Sequence, residues 1–404
     1  MSLGRALLCV CVAVVPVVAA AQDAPPAAPT APLDEARAAF RAADYAKAAE
    51  AAERALQADA ASVVAHYIAG ASLVRLSRYD DAETHLAAVE QAKPDFNGLQ
   101  FQLGFLSYNR AEQASQSGQG EEAKSLYLKA AERFAKELER NAGQLASISS
   151  RAVALGKAGA LDEAVPAHEA WIAAEPQSNN PVVSLGAIYA RGGKVAEATA
   201  TLERLPDKSP RARREAALTF GALLYENEAV DAIAPEPLFK IALEDPPAAD
   251  DLAKRAQGFL VGVHAKTYQL DQTAIELERF IAMAPEAKAL EDAGELVREK
   301  FTSAADGTAP RVVRVAPSRY PKEARANNIK TDVFVLVRVG ADGKPLPGDE
   351  TKIVIPNRIW SEIRSLGFER EAKDVAMRSR YEAGLGADGK PAERWAMIKV
   401  PFEP

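Results

Sequence analysis

Residues 70–94 read GASLVRLSRYDDAETHLAAVEQAKP, and the placing of the small residues in this stretch decides the fold. Gly70-x-x-Leu73 is followed by Ala82-x-x-x-Leu86 and closed by Pro94. The pattern recurs. Tyr79 and Ala82 lie 34 residues after Tyr45 and Ala48; Ala36 and Gly70 are separated by the same interval, as are Ala60 and Pro94, and Ala164 and Ala198. A Gly or Ala in mid-helix lets a paired helix approach closely, and larger residues a turn away fill the remaining space. A Pro ends the second helix of each pair. One such pair cannot bury its own apolar face, so several must stack.

Other copies are recognisable on both sides. Ala152-x-x-Leu155, Ala164 and Pro176 form one; Leu185-Gly186-x-x-Tyr189 and Ala198-x-x-x-Leu202 another; Gly262, Ala274 and Pro285 the last. The period and these residues resemble the tetratricopeptide repeat (TPR) family. That resemblance implies a helical solenoid that binds proteins. The Ala slot moves by 41 from Ala82 to Ala123 and again to Ala164, seven residues beyond the period. Seven residues are about two helical turns, so the third unit is expected to have long helices near 98–115 and 120–140. The sixth unit is the weakest, because Pro235 and Pro237 stand where its second helix should begin. Six or seven units are expected over 33–301. Aligning on the Ala slots puts Phe40, Tyr67, Phe101, Phe105 and Tyr108 on the first-helix face, which in TPR proteins is the concave one. They form a candidate partner groove, with packing between helices as the alternative.

Periodicity changes after Phe301. Thr302 to Pro310 (TSAADGTAP) reads as a linker. Val333, Val335, Val337 and Val339 then alternate with Phe334, Leu336 and Arg338, a strand pattern that ends at the turn dipeptide Asp342-Gly343. Lys352 to Ile355 is a return strand, Phe368 to Tyr381 a helix, and Glu393 to Phe402 a last strand after a second turn at Asp388-Gly389. The segment Pro317-x-x-Tyr320-Pro321-x-x-Ala324-Arg325-x-x-x-Ile329, the valine strand and FEREAKDVAMRSRYE (368–382) resemble the TonB C-terminal domain. Two positions depart from that family's pattern: Thr331 and Ala383 stand where it has Gly and Pro. The resemblance implies that the last strand offers an open edge to a short peptide from an outer-membrane receptor, with Trp395 and Met397 as side-chain contacts. Proline at Ile398 would then block docking. Tyr320-Pro321 would fix the entry turn or touch a partner. Residues 311–404 are expected to fold alone.

Composition narrows the function. The chain has 404 residues, 48% hydrophobic and 26% charged, with only 6% aromatic. A formal charge of −7 argues against a general nucleic-acid binder. The charge is uneven: residues 311–404 carry 18 Lys/Arg against 13 Asp/Glu, and the rest 31 against 43. Arg5, the apolar run Ala6–Ala21 and the small residues Ala19-Ala20-Ala21 match a cleavable secretory signal over 1–21, followed by a Pro/Ala linker over 22–32. Cys9 and Cys11 both fall in the signal, so the exported chain would lack disulfides and thiol chemistry. His66, His85, His168 and His264 are dispersed among repeat helices without metal-ligand spacing. Gly192-Gly193-Lys194 lacks the rest of a phosphate loop. The expectation is therefore a mostly α protein, a TPR solenoid followed by a small α+β module. It would act without catalytic residues, metal or cofactor, as a periplasmic scaffold for envelope proteins. The alternative is a TonB-type energy transducer that keeps its N-terminal segment as an anchor.

Overall fold

The computed structural model describes residues 31–244, 250–284, 288–303 and 309–404. The signal segment 1–21, most of the linker 22–32 and Pro285 lie outside the described residues. The chain divides into two compact units at 207/208.

The first unit is a series of helical hairpins. They pair α1 (Ala31–Arg41) with α2 (Tyr45–Ala58), α3 (Val63–Arg75) with α4 (Tyr79–Ala92), α5 (Leu99–Gln116) with α6 (Gly120–Leu138), α7 (Leu145–Lys157) with α8 (Leu161–Ala174), and α9 (Asn179–Arg191) with α10 (Val195–Ala200). A 3-10 turn, Thr201–Arg204, extends α10. These are TPR-like repeats, and they begin at residue 31 rather than 33. The slot alanines Ala48, Ala82, Ala123, Ala164 and Ala198 are all buried. Helices α5 and α6 are the long pair the slot spacing called for. A Cβ on Gly104 would lie 2.8 Å from the Phe134 ring, so glycine is what lets these two helices meet.

Every turn inside a hairpin has three residues, and its middle residue is left-handed: Ala43, Ser77, Gly118, Gly159 and Gly193, with φ between 59° and 76°. The next N–H reaches back to the first helix in each case, as in Asp44 N to Ala39 O at 3.0 Å and Arg78 N to Leu73 O at 2.9 Å. This is a Schellman end, and its backbone bonds fix the hairpin whatever the side chains.

The second unit starts with α11 (Pro210–Glu226) and a short α12 (Glu236–Ala242), cut to seven residues where Pro235 and Pro237 open it. Then come α13 (Asp251–Lys266), α14 (Leu270–Met283) and α15 (Ala289–Ser303). Tyr268 is the left-handed residue of the α13–α14 turn. Its offset makes Thr273, not Ala274, the slot residue of this unit.

The strand-bearing part follows in the same unit. Its strands are β1 (Arg311–Arg314), β2 (Thr331–Val339), β3 (Lys352–Val354), β4 (Arg380–Glu382), β5 (Gly384–Leu385), β6 (Pro391–Ala392) and β7 (Arg394–Phe402). Its helices are α16 (Trp360–Ser365) and α17 (Phe368–Arg378). The main sheet has the order β3-β2-β7, antiparallel throughout, with Val335 opposite Val354 on one side and Ile398 on the other. β1 pairs with β4, and β5 with β6. The Asp342-Gly343 turn does not join two long strands: Val339 bridges Pro345, and β3 begins only at Lys352.

Both faces of the main sheet are buried. Val333, Val335, Val337 and Val339 lie on one face with Ile398, Val400 and Phe402, against α17. Leu336 and Trp395 point the other way and are also buried, toward α14 and α15. Arg298 of α15 lies 5.3 Å from the Phe334 ring centroid. One apolar core runs from Val261 and Leu277 through Val297 to Val335 and Phe402. At Gly294 of α15 an added Cβ would stand 2.1 Å from the Pro356 carbonyl oxygen. So the expected boundary at 302–310 does not separate two cores. Thr302 and Ser303 belong to α15, and 304–308 lie outside the described residues.

Candidate partner-binding surfaces

The first-helix aromatics separate by one turn of helix. Tyr67 is 8% exposed and Phe101 3%, so neither offers a surface to a partner. Tyr67 packs on Phe96 with centroids 4.8 Å apart, and burial pushes its phenol up to about 12. Phe101 packs on Phe134 at 5.6 Å. The bulk of α4–α6 closes over both. Phe40 is half-buried against Tyr45. Phe105 and Tyr108, on the same helix, are also half-buried and reach the surface.

Around these two the structure assembles a cation–aromatic strip. The Arg75 guanidinium sits 4.2 Å from the Phe105 centroid and 6.0 Å from that of Tyr45. Tyr108 meets Tyr127 edge-on at 5.5 Å, and Lys157 Nζ lies 5.7 Å from each of their centroids. The Tyr127 hydroxyl donates to Glu112 at 2.5 Å, and Lys157 pairs with the same carboxylate. Burial alone would raise the Glu112 carboxyl, but the bonds from Lys157 and Tyr127 outweigh it and hold it below the usual range. Burial, then the bond to Glu112, pushes the Tyr127 phenol up. Glu112 is therefore a committed anion and Lys157 its counter-ion. Burial also lowers Arg75, yet arginine stays charged.

Sequence reading took the aromatics and missed the cations. Arg41, Arg75, Lys157 and Arg191 are the last residues of α1, α3, α7 and α9. Each lies seven residues before a slot alanine, so the signal was present in the period. A cation in a last helical turn is also what the helix dipole favours.

The histidines are structural in placement. His168 is buried; its Nδ1–H donates to Ala164 O and its Nε2 accepts from the Ser184 hydroxyl, both at 2.8 Å. Burial lowers its pKa and favours this neutral form. His66, His85 and Glu53 form a chain across α2, α3 and α4.

In the second unit, Tyr320 and Pro321 are held by the fold. The Tyr320 hydroxyl donates to Ile329 O at 2.9 Å and its ring meets Phe368 edge-on. Pro321 is buried beside it. Trp395 is 4% exposed and so cannot be a side-chain contact for an added peptide; Met397 is half-buried. The outer edge of β7 is partly occupied. The Trp395 N–H donates to Asp271 at 3.1 Å, and the Asp271 carboxylate also takes Arg394 at 3.0 Å. Ser318 Oγ donates to Pro401 O at 2.8 Å. The backbone groups of odd-numbered β7 residues thus point away from β2, and those of Ala396, Ile398 and Val400 bond to it. Among the described residues, the outward backbone groups of Met397 and Lys399 meet no hydrogen-bond partner.

A family model described as anaphase-promoting complex, cyclosome, subunit 3, matches residues 22–89. No curated protein matches the sequence. Among solved structures the chain is similar to the C-terminal part of a TPR repeat-containing protein from Cytophaga hutchinsonii, at 14% identity and TM-score 0.44, covering 65% of this chain and 98% of that one. A tetratricopeptide repeat protein from Parabacteroides merdae aligns at 14% identity and TM-score 0.38, over 67% and 97%. The apo form of RapI aligns at 10% and 0.40, over 69% and 86%. The fold assignment itself rests on the hairpins, their left-handed turns and their slot residues: the chain carries TPR-type repeats followed by a small α+β region.

Proposed function

We propose that the chain is a non-enzymatic interaction scaffold of the cell envelope, exported to the periplasm, whose TPR-type hairpins dock a protein partner. The carrying observation is the half-exposed strip of Phe105 and Tyr108 flanked by Arg75 and Lys157. Aromatic and arginine side chains of this kind dominate interface energetics. The partner would lie across α3, α5 and α7. Export is supported by the N-terminal sequence pattern, and N-terminal sequencing of the mature protein tests it; an intact Met1 would overturn it. For docking, Phe105→Ala with Tyr108→Ala should remove a partner that the native chain retains from an envelope extract, while the thermal transition persists. Unchanged capture would end the proposal.

A second docking mode is favoured by the open backbone at Met397 and Lys399, together with the resemblance of 311–404 to the TonB C-terminal domain. A receptor peptide could add to β7 there over a short register. A longer register would displace Ser318 or Asp271 from the edge.

A further inference from the structure

We infer that the strip on α3 and α5 takes an acidic peptide, with an Asp or Glu side-chain carboxylate of that peptide seated on Arg75; this rests on the strip being a partner site. Arg75 is half-buried, yet it has no hydrogen-bond or ion-pair partner among the described residues. Neighbouring arginines are different. Arg54 holds Glu35 at 2.7 Å, Arg78 holds Asp81 at 2.6 Å, and Arg110 holds Asp80 and Glu83, both at 2.7 Å. Arg75 is only partly buried, so its side chain keeps contact with solvent.

Its geometry defines the ligand. The guanidinium carbon lies 4.2 Å from the Phe105 centroid, a cation–π contact that uses none of its N–H donors. The fork they form matches a carboxylate bidentately. Lys157 contributes no open charge, because Glu112 already neutralises it. Phe105 and Tyr108 offer an aromatic floor for an apolar residue next to the acidic one. The chain as a whole is acidic, at −7. An anionic segment would be repelled at long range and accepted only at a local seat, which gives selectivity. The alternative is that Arg75 only caps the helix dipole and covers Phe105 with its guanidinium.

The test uses the full chain and a labelled, C-terminally amidated ten-residue peptide of alternating Glu and Phe, read by fluorescence anisotropy. The control replaces each Glu by Gln. The Glu peptide should bind native protein at least about tenfold more tightly than the control, about 1.4 kcal/mol. Arg75→Gln should abolish that preference, and Arg75→Lys, which keeps charge but not the fork, should restore part of it. Both variants should melt near the native temperature. A preference that survives in Arg75→Gln overturns the assignment. So does tight binding of the Gln peptide once its terminal carboxylate is freed, because that points to a chain end and not a side chain. If Phe105→Ala with Tyr108→Ala abolishes partner capture while Arg75→Gln changes nothing, the acidic assignment alone fails. If that double variant leaves both capture and peptide binding intact, the partner site itself fails.

Discussion

His66 Nδ1 lies 2.9 Å from His85 Nδ1, within hydrogen-bond distance. His66 Nε2 donates to the Ala60 carbonyl at 3.1 Å, so in a neutral His66 the Nδ1 is an acceptor and His85 must donate. His85 Nε2 meets Glu53 at 2.9 Å, which needs a second proton on that contact. The three side chains thus tie α2, α3 and α4 together through one chain of contacts. His66→Gln should cost about 0.5–1.5 kcal/mol of stability. A lower denaturant midpoint at one fixed pH checks this; an unchanged midpoint would show that the contact is energetically idle.

Asp250 both caps α13, accepting from Ala253 N at 2.8 Å, and holds buried Arg214 through two bonds of 2.8 Å. Asp250→Ala strands that guanidinium and should cost about 3–5 kcal/mol. The Arg214 bonds, working against burial, hold the carboxyl below the usual aspartate range. A lowered folded pKa means that the stabilisation is complete above the unfolded value and fades as pH falls through the folded one. Acid unfolding of native protein should thus steepen in that window, while Asp250→Ala loses this component. An unchanged acid profile would contradict the pairing.

Ala43 and Ser77 occupy the left-handed turn position that glycine holds in three other hairpins. A left-handed conformation costs a non-glycine residue about 1–2 kcal/mol, partly offset by the entropy glycine loses on folding. Ala43→Gly and Ser77→Gly should each raise stability by about 0.5–1 kcal/mol, seen as a higher denaturant midpoint at constant slope. A lower midpoint would mean that the turns do not carry this strain.

On β7 the two neighbours Ile398 and Lys399 should respond oppositely to proline. Ile398→Pro removes a bond to β2 and should destabilise the protein by about 1–3 kcal/mol, so it cannot serve as a test of docking. Lys399→Pro removes only an outward N–H and an exposed pair with Asp332, which is worth little. Its melt should stay close to native while any added peptide strand is lost. Equal destabilisation by both would mean that the Lys399 N–H is also bonded within the sheet.

The shared core makes a sharper demand. Residues 311–404 alone would expose Leu336 and Trp395, which α14 and α15 cover in the intact unit. That fragment should lack a cooperative thermal transition, and 250–404 should have one. Gly294→Ala should weaken the longer fragment by about 1–3 kcal/mol, through its clash with Pro356. A cooperative 311–404 would restore the independent module.

The repeats were legible because their signal is periodic: a slot alanine every 34 residues, with a seven-residue excess that located the long third hairpin. What escaped was conformational. Ala43, Ser77 and Tyr268 sit in left-handed turns without being glycine, and Tyr268 shifted the last slot from Ala274 to Thr273. The partner strip was half legible. Phe101 and Phe105 share a face in sequence, but Phe134 on α6 buries one and leaves the other near the surface. Arg75 was overlooked because its lack of a counter-ion among the described residues is a property of neighbours distant in sequence. For β2, the valine alternation located the strand, while the unbroken apolar run Val333–Val337 was the sign that both faces are covered.

The ladder between β2 and β7 runs nine residue pairs, from Thr331 opposite Phe402 to Val339 opposite Arg394. A pull along β7 from its C-terminal end loads these pairs in shear, together, and delivers tension at the far end to Asp271 on α14 through its two bonds to Arg394 and Trp395. A pull perpendicular to the sheet would instead unzip the pairs one at a time. The geometry makes this part of the chain mechanically anisotropic, stiff along the strand and soft across it.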